Sequence, residues 1–414
     1  MKIWLINPYG PIPTEKWRDY SFSIFGQHLA SQGHDVIWWT SNYSHHFKKY
    51  RSNGFKDIEV TDGFIVRLIP TTSYKKNIGI GRIFRDLIFS LQVNLHARKE
   101  MKPDIILYFE SPLSLGLGAP ALSKHHKCAL IYDQMDLWPE LMIRSSPVYM
   151  RRILSLFLAP VYWKRKRIFK NLDGVVALAQ PYLDAVVKVE PRVKEKPNTV
   201  IYNGINVADF RQVMAEPISS DINIPAERGK ITIIFAGSLG PSYDVSAILK
   251  VAEVTCMENL PISVFIAGDG PLRTAVETAA SDLPCLHYFG QLAPSDLCSL
   301  YSICDIGLVA YGQTSNVEMP DKFYDYTAAG LALVNSLQGE VQSLIDEYEL
   351  GLTYKAGDAE DLLLAIQRFI GDEEALSRCK ENSFNCAENF CSTLQNDKLD
   401  VFLSEVITSF KNSK

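Results

Sequence analysis

Two successive series of short apolar runs, separated by helical stretches, constrain this 414-residue chain more than any other feature. The first series falls at residues 3–6, 36–40, 64–69, 105–109, 129–132, 175–179 and 200–201. The second falls at 231–236, 262–267, 286–289, 306–309 and 331–335. Strands that alternate with helices are joined by crossovers and pair in parallel. Each series therefore predicts an α/β, Rossmann-like sheet covered by helices. A chain this long exceeds one ordinary core, so two domains are expected. A proline-rich, weakly periodic connection between Pro191 and Pro225 separates the series. The boundary is expected near Asn206, with domains at 1–205 and 206–394 and a tail at 395–414 of helical pattern.

Charge divides at the same place. Residues 1–200 carry a net +12 and the remainder −17, which together give −5. A basic first half suggests an anionic partner such as membrane lipid, lipid pyrophosphate or nucleic acid. Attraction between two domains of opposite sign is the plainer alternative, and the acidic second half argues against a long nucleic-acid track. No apolar run reaches membrane-spanning length, and Met1-Lys2 leads straight into the first strand, so no signal peptide is expected. The eight cysteines are scattered singly and are expected to be mostly buried thiols rather than disulfides or zinc ligands.

Two basic segments carry apolar side chains at helical spacing. Over 74–92, Ile80, Ile83, Phe84, Leu87, Ile88 and Leu91 accompany Lys75, Lys76, Arg82 and Arg85. This fits either an interfacial helix on an anionic bilayer or a core-facing helix with a solvated basic face. For 151–170, which ends in Lys164-Arg165-Lys166-Arg167 before a strand, the core-facing reading is preferred.

The densest cluster of chemistry lies at 316–340, which reads as loop, helix, glycine stop and short strand. Pro320 and Asp321 suit a helix start. Lys322 and Asp325 then share one helix face. A helix N-terminus with a lysine and acids beside it can hold phosphate and sugar hydroxyls together, although an ordinary cap with solvated charges fits equally.

Ahead of it come Tyr202-Asn203-Gly204-Ile205-Asn206, Phe235-Ala236-Gly237-Ser238-Leu239-Gly240, Ile266-Ala267-Gly268-Asp269-Gly270-Pro271 and Phe289-Gly290, in that order. This succession resembles the group 1 (family 4) glycosyltransferases, over almost the whole chain. Asp136-Leu137-Trp138-Pro139-Glu140 strengthens the likeness to members that build bacterial O-antigen and capsule sugars. The resemblance implies a GT-B fold of two Rossmann-like domains facing across a cleft, with the C-terminal tail packed back on the first domain. It also implies a nucleotide-diphosphate sugar as donor, retention of anomeric configuration, no essential metal and no cofactor.

In the first domain, ligands are expected at the carboxyl ends of strands. Gly10, which would allow close backbone approach, is a donor-site candidate, and Glu15, Trp17, Arg18 and Glu110 are candidates for acceptor binding in the cleft. Family members carry a more glycine-rich loop here. Glu110 and Asp136 follow two further strands. Asp136 could serve as a base or bind a hydroxyl, or it could cap a helix. Met135 stands where many relatives have a histidine.

In the second domain, Gly237, Ser238 and Gly240 form a loop whose backbone N–H groups can face an anion. The family usually places an arginine at the Ser238 position and a lysine near Tyr243. Both cations are absent, so Lys322 is the obvious substitute, with Gly268 and Arg273 as further donor-site candidates. Of the family's two glutamates eight apart, the second aligns with Asp325, a shorter acid suited to ribose hydroxyls. The first aligns with Val317, with Glu318 adjacent as a catalytic-site candidate.

The chain thus reads as a metal-independent, hexosyltransferase-type enzyme of cell-surface polysaccharide synthesis, acting from the cytoplasm or the inner membrane face. Its acceptor would be lipid-linked or a saccharide. A GT-B nucleotide-sugar epimerase, a phosphorylase, or a non-catalytic nucleotide-sugar or lipid-binding subunit are the alternatives.

Overall fold

A computed structural model describes residues 1–15, 21–75, 79–137, 140, 143, 146–220, 222–225, 229–315 and 317–413. The candidates Trp17 and Arg18, and Lys76 of the basic segment, lie outside the described residues. Contacts divide the chain into two units, Met1–Asn203 with Gln395–Lys414, and Gly204–Leu394.

The first unit is an eight-stranded sheet. Its strands are β1 Lys2–Ile6, β2 Asp35–Ser41, β3 Lys56–Thr61, β4 Phe64–Ile69, β5 Ile105–Phe109, β6 Ala129–Gln134, β7 Gly174–Ala177 and β8 Asn198–Val200. They are ordered β3-β4-β2-β1-β5-β6-β7-β8. All neighbours pair in parallel except β3, which lies antiparallel to β4 at one edge. That edge strand was not legible in the sequence. Its residues alternate between exposed and half-buried, so it lacks the continuous apolar run that marks a strand covered on both faces. The helices are α1 Ser21–Ser31, α2 Ile80–Ala97, α3 Leu115–His126, α4 Val148–Phe169 and α5 Gln180–Val189.

The second unit holds β9 Ile231–Ala236, β10 Ile262–Ala267, β11 Leu286–Tyr288, β12 Ile306–Val309, β13 Ala332–Asn335 and β14 Gly351–Thr353. These form a wholly parallel sheet ordered β11-β10-β9-β12-β13-β14. Its helices are α6 Val207–Met214, α7 Val245–Met257, α8 Arg273–Asp282, α9 Pro294–Tyr301, α10 Asp321–Ala328, α11 Glu340–Glu347, α12 Ala359–Gly371 and α13 Glu373–Cys386. In both sheets the order reverses at one point, between β1 and β5 and between β9 and β12. Crossovers leave those strand ends in opposite directions, so the carboxyl ends there stay uncovered.

The helix α14, Ser392–Asn412, closes the core of the first unit. Leu399, Phe402, Leu403 and Val406 are buried with Val176, Ile131 and Ile201. A Cβ on Gly174 would stand 2.6 Å from Val406 Cγ2, so glycine is required where the helix meets β7. Gln395 Oε1 accepts from the Tyr202 amide at 3.1 Å, and His28 Nε2 meets Asp400 at 2.8 Å.

Most of the cysteines are buried thiols, as expected: six are free and five of these are buried. A disulfide nevertheless joins Cys256 and Cys285, 29 residues apart. Scattered spacing could not show that α7 brings Cys256 against the residue preceding β11. The segment 151–170 does not turn its apolar face to the core. Only Arg165, Ile168 and Phe169 of α4 are buried, whereas Tyr149, Ile153, Leu156, Phe157 and Trp163 are exposed, Phe157 by 78%. The last turns alone reach the sheet. In α2, Ile80, Ile83, Phe84, Leu87, Leu91 and Leu95 are all exposed, while Phe89, Val93 and Ala97 are buried together with Arg85 and Asp86. The helix is thus apolar on both sides, and one of its basic side chains lies on the inward side rather than in solvent.

If α14 completes this core, Phe402→Ala should destabilise the first unit by about 3–5 kcal/mol, as for other buried phenylalanines. Chemical unfolding followed by tryptophan fluorescence, with all of Trp4, Trp38 and Trp39 in this unit, would report it.

Candidate functional site

In the second unit the site grows from close backbone packing. The Gly237 amide donates to Ala267 O and the Leu239 amide to Asp269 O, both at 2.9 Å. A Cβ on Gly268, at φ +144°, would stand 1.8 Å from Gly237 O, so the two loops touch backbone to backbone. Tyr326 donates nothing to this contact; its buried hydroxyl accepts from the Ala236 amide at 3.0 Å and pins the end of β9.

Lys322, in the first turn of α10, is buried beneath this loop. Its Nζ donates to Ala236 O and lies 4.5 Å from the Phe235 ring and 4.8 Å from the Tyr243 ring. A Cβ at Gly237 would fall 2.1 Å from Nζ, so only glycine leaves the ammonium room. Burial lowers the Lys322 pKa to about 8, against the pull of Asp325 and Asp321. A cation with aromatic walls and one carbonyl partner, under an exposed Ser238, is arranged to gain from an incoming anion.

The acids of this unit are placed unequally. Asp325 is half-buried one turn after Lys322 and acts on its charge. Glu318 is buried, accepts from the Glu340 amide at 3.3 Å, and fills the space where a Gly339 side chain would be. It thus lies at the start of α11, beside the carboxyl end of β13. Arg273 is solvent-exposed and pairs with Glu277 at 2.7 Å and Asp269 at 3.9 Å. Its charge is already paired directly with these two surface acids.

In the first unit, Glu15 is turned inward. Its carboxylate receives Arg51 Nη2 at 2.8 Å, Arg51 Nε at 3.1 Å and the Ile12 amide at 2.9 Å. Arg51 also donates to Gly10 O at 2.6 Å. Glu15 therefore fastens the loop after β1 rather than facing an acceptor, and the Gly10 carbonyl is part of the same clasp. Gly10 itself adopts φ +85°. Glu110 also departs from the expected rim position. It is buried under Gln134, which donates to it and to Asp136 O, while Arg165 Nη2 donates to Gln134 Oε1 at 3.3 Å and Nη1 to Glu140 at 2.7 Å. Burial, with Asp136 and Asp133 adding to it, holds the Glu110 carboxyl well above the usual range.

Asp136 reaches solvent at the carboxyl end of β6. The protein crowding around it raises its pKa to about 6, while the Arg82 charge pulls it down. An acid poised there, beside the reversal of strand order, can take a proton near neutral pH. A second group joins Arg82 and Arg85 of the basic segment 74–92, with Tyr74 and Asp86, to Tyr9, His45 and Lys48 from distant loops, a convergence not legible in the sequence. Tyr9 donates to Asp86 Oδ2 at 2.7 Å, and Arg85 Nη2 donates to the Tyr74 hydroxyl at 3.1 Å. Among the described residues, no group of three or more His, Cys, Asp or Glu side chains is placed to hold a metal ion.

Residues 24–209 match the family described as Glycosyltransferase Family 4, and residues 219–385 match Glycosyl transferases group 1. The chain belongs to the group 1 (family 4) glycosyltransferases. Chitobiosyldiphosphodolichol beta-mannosyltransferase of Candida glabrata is 20% identical over 341 residues, covering 77% of this chain and 75% of its own. Anabaena HepE, solved with UDP, superposes with a TM-score of 0.66 at 14% identity, over 97% of this chain and 99% of its own. WaaG, a glycosyltransferase involved in lipopolysaccharide biosynthesis, gives 0.62 at 16%, over 97% and 99%. The fold is GT-B, and the two glycine-lysine and Asp136 regions fall in different family segments.

Asp133 offers a test of the buried acids beside this site. Burial raises its pKa from 3.8 to about 8. The folded state therefore favours the neutral acid: the stability this contributes is full below about pH 4 and is lost as pH rises towards 8. Asp133→Asn should become progressively more stable than the wild type across that window, by up to ~1.4 kcal/mol per pH unit. Urea midpoints at several pH values would show it, and parallel curves for the two proteins would contradict it.

Proposed function

We propose that this glycosyltransferase moves a sugar from a nucleotide-diphosphate donor to a hydroxyl of a lipid-linked or saccharide acceptor, in cell-surface polysaccharide synthesis. The observation that carries this reading is the buried Lys322 ammonium beneath the Gly237 loop. It supplies the cation that Ser238 and Tyr243 do not, at a helix start and at the reversal of strand order. The UDP and UDP-glucose complexes of HepE agree with such a donor. The Candida relative's name specifies a diphosphodolichol acceptor, which agrees with a lipid-linked one.

In this reading the second unit holds the donor. Backbone amides around Gly237 and Gly240, with Lys322, stabilise the charge that develops on the leaving diphosphate. Asp325 accepts the ribose hydroxyls, and Glu318 stands near the transferred sugar. Asp136 of the first unit binds or deprotonates the acceptor hydroxyl. Transfer proceeds with retention and without a divalent metal or other cofactor.

Lys322→Ala should weaken nucleoside diphosphate binding by about 1.5–3 kcal/mol, the range for hydrogen bonds to a charged group. Calorimetry against a panel of nucleotides decides this, and unchanged affinity throughout would remove Lys322 from the site. Turnover is checked by release of nucleoside diphosphate with acceptor present, undiminished by EDTA, and by the anomeric signal of the product in NMR.

The exposed apolar faces of α2 and α4 support a second part of the proposal, peripheral attachment of the first unit to an anionic bilayer. No described helix is long and apolar enough to cross a membrane. In α4, Leu156, Phe157 and Trp163 lie among Arg151, Arg152, Lys166 and Arg167, all exposed. Such a mixture inserts apolar groups while each basic residue contributes about 1 kcal/mol. Sedimentation with anionic but not neutral vesicles is expected, weakened by salt and by Leu156→Glu with Phe157→Glu. Equal recovery in the supernatant with both vesicle types would exclude this surface.

A further inference from the structure

Three cations converge where the parallel strands of the first unit end. Lys48 follows β2, and Arg82 and Arg85 lie in the first turns of α2. Tyr9, after β1, and Tyr74, after β4, stand between them. Arg82 lies 4.9 Å and Arg85 4.7 Å over the Tyr9 ring; Arg85 lies 5.0 Å and Lys48 4.4 Å over the Tyr74 ring. His45 bonds to the Tyr74 hydroxyl.

The cluster is layered. Tyr9, His45, Lys48 and Arg82 reach solvent, whereas Arg85, Tyr74 and Asp86 are buried beneath. Asp86 contacts this group among the described residues, 3.2 Å from Arg85 Nε and 3.8 Å from Arg82 Nε. Its Oδ2 is also occupied by the Tyr9 hydroxyl. Arg85 is 0% exposed, yet its Nη1 has no hydrogen-bond partner among the described residues. A buried guanidinium with an unfilled donor keeps its charge only partly compensated, which favours an anion nearby. The surplus of positive charge is felt by its neighbours: burial, then Lys48, Arg82 and Arg85, hold His45 down to about 4.

We propose that the Lys48–Arg82–Arg85 cluster is a phosphate-binding subsite of the first unit, taking the phosphate or diphosphate group of the acceptor. This rests on the transferase reading above and adds a class of acceptor to it. Arg82 and Lys48 touch the anion from the solvent side. Arg85 holds Tyr74 and supports the charge from below, and the two tyrosine rings fix the guanidinium planes. Arg82 also acts on Asp136, so an acceptor phosphate held here would lie within electrostatic reach of the candidate base.

The test uses the full chain, with inorganic pyrophosphate as the probe in calorimetry. Wild type is expected to bind it at two sites. Lys48→Gln with Arg82→Gln should weaken one site by at least about tenfold, and Lys322→Ala should weaken the other. Arg82→Lys, which keeps the charge, should retain most of the affinity that Arg82→Gln loses, which separates a binding role from misfolding. Competition then identifies the source. Displacement by farnesyl diphosphate points to a lipid diphosphate, displacement by glucose 1-phosphate to a sugar phosphate, and either supports the subsite. A titration unchanged in the double variant overturns it. If Lys322→Ala alone removes pyrophosphate binding, the subsite falls and the donor reading stands. If only the Lys48 and Arg82 variants remove it, the donor reading fails and the subsite stands.

Discussion

Parallel pairing is the constraint on which the rest depends. A parallel strand cannot follow its neighbour by a tight turn, so each step needs a crossover that climbs back over one face. The carboxyl edges of both sheets therefore collect loops and helix starts, and at one point in each sheet the helices part. The principal candidate groups lie on those edges. The Gly237 loop, Gly268 loop and Lys322 follow β9 and β10 or open α10, and Asp136, Tyr9 and the arginine cluster follow β6, β1 and the approach to α2.

Much of the fold was legible because both faces of these sheets are covered. A doubly covered strand must be apolar along its whole length, so runs such as 231–236 and 262–267 announce themselves. The edge strand β3 did not, since half of its residues face solvent. The disulfide was invisible because no spacing rule links residues brought together by a helix and a later strand. The helices α2 and α4 were harder still. Their periodicity shows that one face is apolar, but periodicity does not say whether that face meets protein or solvent. In both, the structure leaves a row of apolar side chains outward. Local sequence has no means of recording that the inward side of α2 takes Arg85 and Asp86 beside Phe89, Val93 and Ala97.

The candidate site was legible in proportion to how local it is. The Gly237 loop and Lys322 could be named because each sits in a short motif, and their contact follows from two glycine-dependent approaches. Asp136 was named from its place after a strand. Glu15 was named for the same reason, yet its partner Arg51 lies 36 residues away, and that distant cation decides its role. Glu110 fails likewise, because its burial depends on Arg165 and Gln134 arriving from other elements. Arg82 and Arg85 were singled out within the segment 74–92, but their grouping with Tyr9 and Lys48 was not, since those arrive from the loops after β1 and β2. Charge density in one loop proved a weaker guide than the convergence of several loops.

The last long helix has a consequence for how the protein comes into being. The first unit's core includes Leu399, Phe402, Leu403 and Val406, which are synthesised after every residue of the second unit. Domains ordinarily finish folding in the order in which they leave the ribosome. Here the eight-stranded sheet emerges first but keeps one apolar face uncovered, around Gly174 and Val176, until residue 406 has been made. The second unit, Gly204–Leu394, has all of its own core by then. Synthesis order and completion order are thus reversed, and the nascent first unit must be shielded through the translation of nearly two hundred further residues, from 204 to 394.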